Sequence, residues 1–197
     1  QLCQAKYGDD KSLVRLHNTI EDMQLLVDTL LAIARNTVQS LPSEKNLLSK
    51  TVKDLVESLE AVSAGKGIQI NIQPDVSEQP RWLYPSMTQM VLGNILRNAL
   101  NYSQGSQIDI IQQKNSLIIA DNGIGISLPN DVKVQELSDS QLSLKAKGHG
   151  IGLQLVQKLC KQLGWRVELF DRQYYLTTHP ELDLEPTTGL IVVVYLS

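Results

Sequence analysis

Leu13, Leu16, Ile20, Met23, Val27, Leu30 and Ala34 recur at alternating spacings of three and four residues. This heptad seam predicts a long helix over about residues 11–39 that packs in a coiled coil or bundle. Leu26, Leu31 and Ile33 widen the stripe beyond a two-stranded seam. No second long heptad helix follows, so a partner chain is the natural supplier of its packing surface. Leu41-Pro42-Ser43 ends the pattern, because a proline removes a backbone donor and clashes with the preceding turn. A second amphipathic helix follows, with Leu48, Val52, Leu55, Leu59 and Val62 on one face and Gly65 and Gly67 at its end.

The period then changes. Ile68, Ile70 and Ile72 alternate with polar residues and predict a half-buried strand. Residues 74–80 read as a loop and 81–84 as a short strand. Pro85 and Ser86 open a third helix that runs to about Tyr102. Ile108 and Ile110 lead one strand and residues 117–120 another, with Lys114-Asn115 as the hairpin turn between them. Residues 122–148 lack a clear period and are rich in Gly, Ser, Asp and Lys, the mark of a functional loop. A fourth helix is expected over about 151–163, closed by Gly164. Residues 166–170 and 190–196 read as strands, joined by a polar connection over 173–188. The hairpin excludes an all-parallel doubly wound sheet. The expected fold is α+β, a two-layer sandwich with a mixed sheet covered by helices on one face, preceded by a long bundle-forming helix. We divide the chain into residues 1–41 and a domain over 42–197.

Composition narrows the classes. Of 197 residues, 42% are hydrophobic and 20% charged, which argues against a disordered or fibrous chain. A net charge of −3 without a basic cluster argues against nucleic acid as a partner. Cys3 and Cys160 lie far apart outside any metal-binding spacing and read as unpaired thiols of a reducing compartment. No apolar run approaches the ~20 residues of a membrane span. The chain opens on Gln1 rather than Met and reads as a piece of a larger protein. Any membrane contact would then be made through segments outside this sequence.

Three stretches carry candidate chemistry. On the third helix Asn94, Asn98 and Tyr102 are four apart and share a face. They form either a solvated stripe or a set of amide oxygens that meet a ligand or Mg²⁺. Next, the strand Ile118-Ile119-Ala120 ends in Asp121-Asn122-Gly123-Ile124-Gly125-Ile126. This is either a turn or a carboxylate that accepts from an exocyclic amino group. Last, Lys145-Ala146-Lys147-Gly148-His149-Gly150-Ile151-Gly152-Leu153 runs into the fourth helix. Alternate glycines before a helix form either a hinge or a phosphate nest beside the helix dipole. The run fits neither a P-loop nor a dinucleotide fingerprint.

In order and spacing the three stretches resemble the ATP-binding catalytic domain of sensor histidine kinases, in the superfamily shared with gyrase, Hsp90 and MutL. Residues 94–103 resemble its N box, 121–126 its G1 box and 148–153 its G2 box. Residues 20–35 resemble the second helix of the dimerisation and phosphotransfer domain. The resemblance implies that ATP and Mg²⁺ are the cofactors. Asn98 would coordinate the metal, with Asn94 beside it near the phosphates and Tyr102 against the nucleotide. Asp121 would accept the adenine amino group. Gly123, Gly125 and Ile126 would shape the adenine pocket and the start of a lid. Gly148, Gly150, Gly152 and Leu153 would receive the phosphates at its far end. It further implies γ-phosphoryl transfer to a histidine and onward to a response regulator. The parent would be a homodimer joined through a helical bundle, with this part in the cytoplasm of a bacterial, inner-membrane-anchored protein.

The sequence also departs from that pattern. Residues 127–147 hold no aromatic in place of the Phe-rich F box, and Phe170, the single phenylalanine, falls in a predicted strand. Asn101 stands where the family usually has a lysine before the N-box tyrosine, and Lys145 or Lys147 are candidates to replace that phosphate contact. Asn94 stands where ATP-hydrolysing relatives carry a glutamate, which opposes a gyrase-type ATPase clamp. The acceptor histidine would precede this chain. His17, followed by Asn18, reads as a helix-surface residue, so the chain alone is not expected to autophosphorylate. The rival reading is a degenerate nucleotide-binding or docking module that regulates a partner without phosphorylating it. Nucleotide binding without histidine phosphorylation would select it.

Overall fold

A computed structural model describes residues 43–125 and 150–196, together with single helical positions at 20, 23, 27 and 31. The chain divides into two units, residues 1–40 and 41–197. In the first, Ile20, Met23, Val27 and Leu31 are helical and all exposed. The other heptad positions lie outside the described residues, as does the stretch 126–149.

The second unit begins with β1 (Glu44–Asn46), α1 (Leu48–Lys66), β2 (Gln69–Gln73), β3 (Arg81–Leu83) and α2 (Pro85–Tyr102). It continues with β4 (Gln107–Gln113), β5 (Ser116–Asp121), α3 (Gly150–Leu163), β6 (Arg166–Asp171), α4 (Arg172–Thr178) and β7 (Leu190–Tyr195). Five strands form one sheet in the order β2-β4-β5-β7-β6. Only β2 and β4 run parallel, and the chain between them contains α2. A parallel pair needs such a crossover, whereas β4 and β5 turn directly through Lys114-Asn115. The mixed α+β fold read from the sequence is the fold observed.

Strand parity sorts the sheet into two faces. Ile108, Ile110, Leu117, Ile119, Val192 and Val194 share one face and are buried. The helical layer covers this front face, with α1 on α2, α2 on α3, and α2 against β5. Ile111, Ile118, Ala120, Ile191 and Val193 share the back face and pack with Tyr175. Asp121 closes β5 with the front-face parity of Ile119, so the strand delivers its side chain toward the helices.

Several details differ from the sequence reading. Val62 was expected on the buried face of α1 but is 43% exposed, and Ser63 is buried in its place. The helix continues through Gly65 and ends at Gly67, whose φ of 67° forms the left-handed cap. At its start the Glu78 carboxylate accepts from Leu48 N at 2.7 Å and from Ser49 N at 3.3 Å. β1 was not expected, because Glu44-Lys45-Asn46 has no apolar alternation; it exists by pairing with β3. The connection over 173–188 contains α4. Its start is capped by the Asp171 side chain, which accepts from Tyr174 N at 3.0 Å. With residues 182 and 184 this short helix adds cover to the back face.

Candidate functional site

The site is built between α2, the end of β5 and the first turn of α3. Apolar positions of α2 are buried toward the core, including Val91, Leu92, Ile95, Leu96 and Leu100. The Asn94–Asn98–Tyr102 stripe runs along the edge of that face, from buried at Asn94 to exposed at Tyr102. Asn94 is 6% exposed and its Nδ2 donates to the Met90 carbonyl at 2.7 Å, which leaves its oxygen for other work. Asn98 is half-buried, and among the described residues no hydrogen-bond partner meets its amide. Tyr102 is exposed at the end of the stripe.

Gly152 of α3 faces the two asparagines. A Cβ there would lie 3.5 Å from both amide atoms of Asn98 and 3.8 Å from Asn94 Oδ1. The absent side chain leaves a cradle over the Asn98 amide. An amide oxygen suits Mg²⁺, which binds through few protein groups and keeps water and phosphate oxygens as its other ligands. The residues present therefore fit the metal.

Asp121 is buried at the mouth of the sheet. Its Oδ1 accepts from Gly123 N at 2.9 Å and from Leu190 N at 3.4 Å. Among the described residues no hydrogen bond reaches Oδ2. Burial pushes its carboxyl pKa up, against the two backbone donors and the nearby Arg172 charge. The buried carboxylate thus keeps one oxygen that can accept a hydrogen bond from a donor outside the described contacts.

The end of α2 fixes the loop that follows Asp121. Ile124 N donates to the Ser103 carbonyl at 2.8 Å. A Cβ on Gly123 would fall 1.9 Å from that same carbonyl oxygen, so only glycine passes. Asn122 Oδ1 accepts from Ser106 N at 2.8 Å and Gln107 N at 2.9 Å, which makes Asn122 a brace for this loop.

Of the residues singled out in the sequence, the structure brings Asn94, Asn98 and Gly152 together between α2 and α3, and Asp121 and Gly123 together at the end of β5. Gly125, with φ of 67°, lies against Gly189. Leu153 is half-buried in the first turn of α3, which Gly150 opens. Ile126, Lys145, Lys147 and Gly148 lie outside the described residues. Asn101 is exposed, and its Oδ1 accepts from Lys66 Nζ, which also donates to the Leu100 carbonyl at 3.2 Å. The cation beside Asn101 thus comes from the end of α1, which the sequence reading did not consider. Arg172 and Gly189 were also missed as parts of this neighbourhood. Only Gly189, placed just before an apolar strand, left any signal in the sequence.

This sheet, with an asparagine helix on its front and a carboxylate at a strand end, defines a nucleotide-binding domain of the histidine kinase type. Residues 84–197 match the family described as Histidine kinase-, DNA gyrase B-, and HSP90-like ATPase, and the chain belongs to that family. Among curated relatives, it is 30% identical over 166 residues to Sensor protein QseC of Escherichia coli O157:H7, covering 80% of this chain and 36% of that protein. It is 26% identical over 180 residues to Sensor histidine kinase CpxA of Escherichia coli K12, covering 83% of this chain and 38% of that protein. The chain thus spans little more than a third of the length of these relatives. Among solved structures, full-length ShkA in complex with AMPPNP superposes with a TM-score of 0.65 at 18% identity, covering 94% of this chain and 38% of that one. Histidine kinase AdeS of Acinetobacter baumannii superposes with a TM-score of 0.62 at 16% identity, covering 95% and 85%.

Proposed function

We propose that this chain is the ATP-binding catalytic portion of a two-component sensor histidine kinase. In this reading ATP with Mg²⁺ binds between α2 and α3, and the γ-phosphoryl group passes to a histidine of the parent protein and then to a response regulator. The observation that carries it is the presence, in one domain, of a buried Asp121 carboxylate with one oxygen unused and of the Asn98 amide beneath the Gly152 gap. Asp121 reads the base, and Asn94 and Asn98 lie at the phosphate end. The first turn of α3 offers backbone N–H groups and the positive end of its dipole to phosphate. Mg²⁺ bound at Asn98 supplies neutralisation of phosphate charge. Positioning and charge do most of the work in phosphoryl transfer. The relation to QseC and CpxA, and the AMPPNP complex of ShkA, support this reading.

We further propose that residues 1–41 are half of a dimerisation hairpin. The exposed stripe Ile20, Met23, Val27 and Leu31 supports a homodimer through a helical bundle, each full-length chain giving two helices. The parent would be membrane-anchored with this part in the cytoplasm. Among the described residues, no helix is long and apolar enough to cross a membrane.

Calorimetric titration of ATP with and without Mg²⁺ tests the function. Wild type should bind ATP more tightly with Mg²⁺, and Asn98→Ala should lose that difference. Equal affinity with and without Mg²⁺ in the wild type refutes the role given to Asn98. One observation favours the docking-module alternative: residues 127–147 contain no aromatic to close over a nucleotide. Failure of the full-length protein to phosphorylate a histidine while binding ATP would select that alternative.

A further inference from the structure

The connection from β6 to β7 begins with Arg172, which is 1% exposed. A buried guanidinium is costly unless its donors find acceptors. Its Nη2 lies 3.6 Å from Asp109 Oδ2. Its Nε donates to the Glu185 carbonyl at 3.1 Å, and its Nη1 donates to the Asp121 carbonyl at 3.1 Å. Its backbone N–H donates to the Gly189 carbonyl at 3.1 Å. Asp109 is held in turn: its Oδ1 accepts from Asn71 Nδ2 at 2.9 Å and from Gln107 Nε2 at 2.7 Å.

The parity of the strands gives these contacts a direction. Asp109 pairs with Ala120 on the back face, whereas the Asp121 side chain has the front-face parity. Arg172 therefore grips, from behind the sheet, the main-chain carbonyl of the residue whose carboxylate serves the front. The end of this connection and the first residue of β7 touch Asp121 twice more. Leu190 N donates to Oδ1, and Gly189 comes so close that a Cβ on it would lie 2.0 Å from the Asp121 carbonyl oxygen. Main-chain orientation at a strand end sets where the side chain points, so these contacts fix the free oxygen in space. An ion pair this deeply buried is a poor source of stability, since an apolar pair of the same volume often does as well.

We propose that Arg172 is a positioning residue for base selection, which aims Asp121 Oδ2 at the exocyclic amino group of an adenine nucleotide. The inference rests on the nucleotide reading above, and Arg172 itself touches no nucleotide. Its test is a comparison of ATP with inosine triphosphate, whose base carries a carbonyl oxygen where adenine has the amino group. Affinities of both are measured by calorimetry for the 197-residue chain and for Arg172→Met, Arg172→Lys and Val193→Ala. Val193 belongs to the same back-face cluster and reports the effect of lost packing alone. Wild type should prefer ATP, and Arg172→Met should reduce the preference about tenfold, the effect of one misplaced buried hydrogen bond. Val193→Ala should lower the melting temperature and leave the preference unchanged. Arg172→Lys keeps a charge opposite Asp109 but not the fork, so it should recover the melting temperature more fully than the preference. If Arg172→Met does not fold, Arg172→Lys decides by the same ratio. A wild-type preference retained in the folded Arg172 variants overturns the proposal, and so does an equal loss in Val193→Ala. A wild type that binds ATP without preferring it also overturns it. A wild type that binds no ATP instead overturns the nucleotide reading.

Discussion

Gly152 and Asn98 face each other across the gap between α3 and α2, with room for a methyl group and little more. A Cβ at 3.5 Å from the Asn98 amide atoms is an ordinary van der Waals contact, so the fold accepts alanine there. Alanine also favours the helix over glycine by up to about 1 kcal/mol. Gly152→Ala should therefore keep or raise the melting temperature. It should weaken Mg-ATP binding by about tenfold or more, because the methyl occupies the space over the Asn98 amide. Calorimetry on the variant checks this, and wild-type affinity would remove Gly152 from the site.

Gly123 and Gly189 predict the opposite behaviour. Their notional Cβ atoms fall 1.9 Å from the Ser103 carbonyl oxygen and 2.0 Å from the Asp121 carbonyl oxygen. Backbone, not a flexible side-chain tip, is in the way, and Gly189 also has φ of 147°. Gly123→Ala and Gly189→Ala should each cost about 3 kcal/mol, a large single-site effect. That corresponds to a fall of roughly 6–12 °C in melting temperature for a domain of this size. Thermal denaturation decides, and a fall under about 2 °C would contradict the packing described.

These two behaviours show why the site was legible only in part. Asn94, Asn98 and Tyr102 declared themselves through helical spacing, and Asp121 through its place at the end of an apolar strand. Periodicity carries that information because a helix or strand repeats it. Arg172 carried no such mark. It opens a helix of seven residues directly after a strand, and its acceptors come from Glu185 on the same connection and from Asp109 and Asp121 far away in sequence. β1 was hidden for the same reason, since a polar strand exists only through its partner β3. Lys66 reaches Asn101 across 35 positions of sequence, a contact that only the packing of α1 on α2 creates.

Cys160 offers a probe of global opening. It is 1% exposed on α3, and burial pushes its thiol pKa up to about 12. Both effects suppress the thiolate that reacts. In a Cys3→Ser background, an aromatic disulfide reagent at pH 8 should label the native chain about a thousandfold more slowly than the denatured chain. Release of the coloured thiolate follows the reaction. Immediate stoichiometric labelling of the native chain would show that α3 opens independently of the core.

Asp121 links stability to function through pH. Its folded pKa is raised, chiefly by burial, above the unfolded value. Its contribution to stability is therefore fully present below the unfolded pKa and is lost as pH rises through the folded pKa. At neutral pH the ionised carboxylate carries a desolvation cost that Asp121→Asn removes. The asparagine oxygen can still accept from Gly123 N, the shorter of the two bonds to Oδ1. Its NH₂ then replaces Oδ2 and meets the amino group of adenine donor to donor. Asp121→Asn should melt higher than wild type at pH 7, with the gap closing as pH falls through the raised folded pKa and gone below about 4, the unfolded value. The same variant should bind ATP at least about tenfold more weakly at pH 7. Calorimetric melts at both pH values and an ATP titration check the two effects together. A variant less stable than wild type at pH 7 would mean that the carboxylate stabilises the fold and is not held there for the ligand.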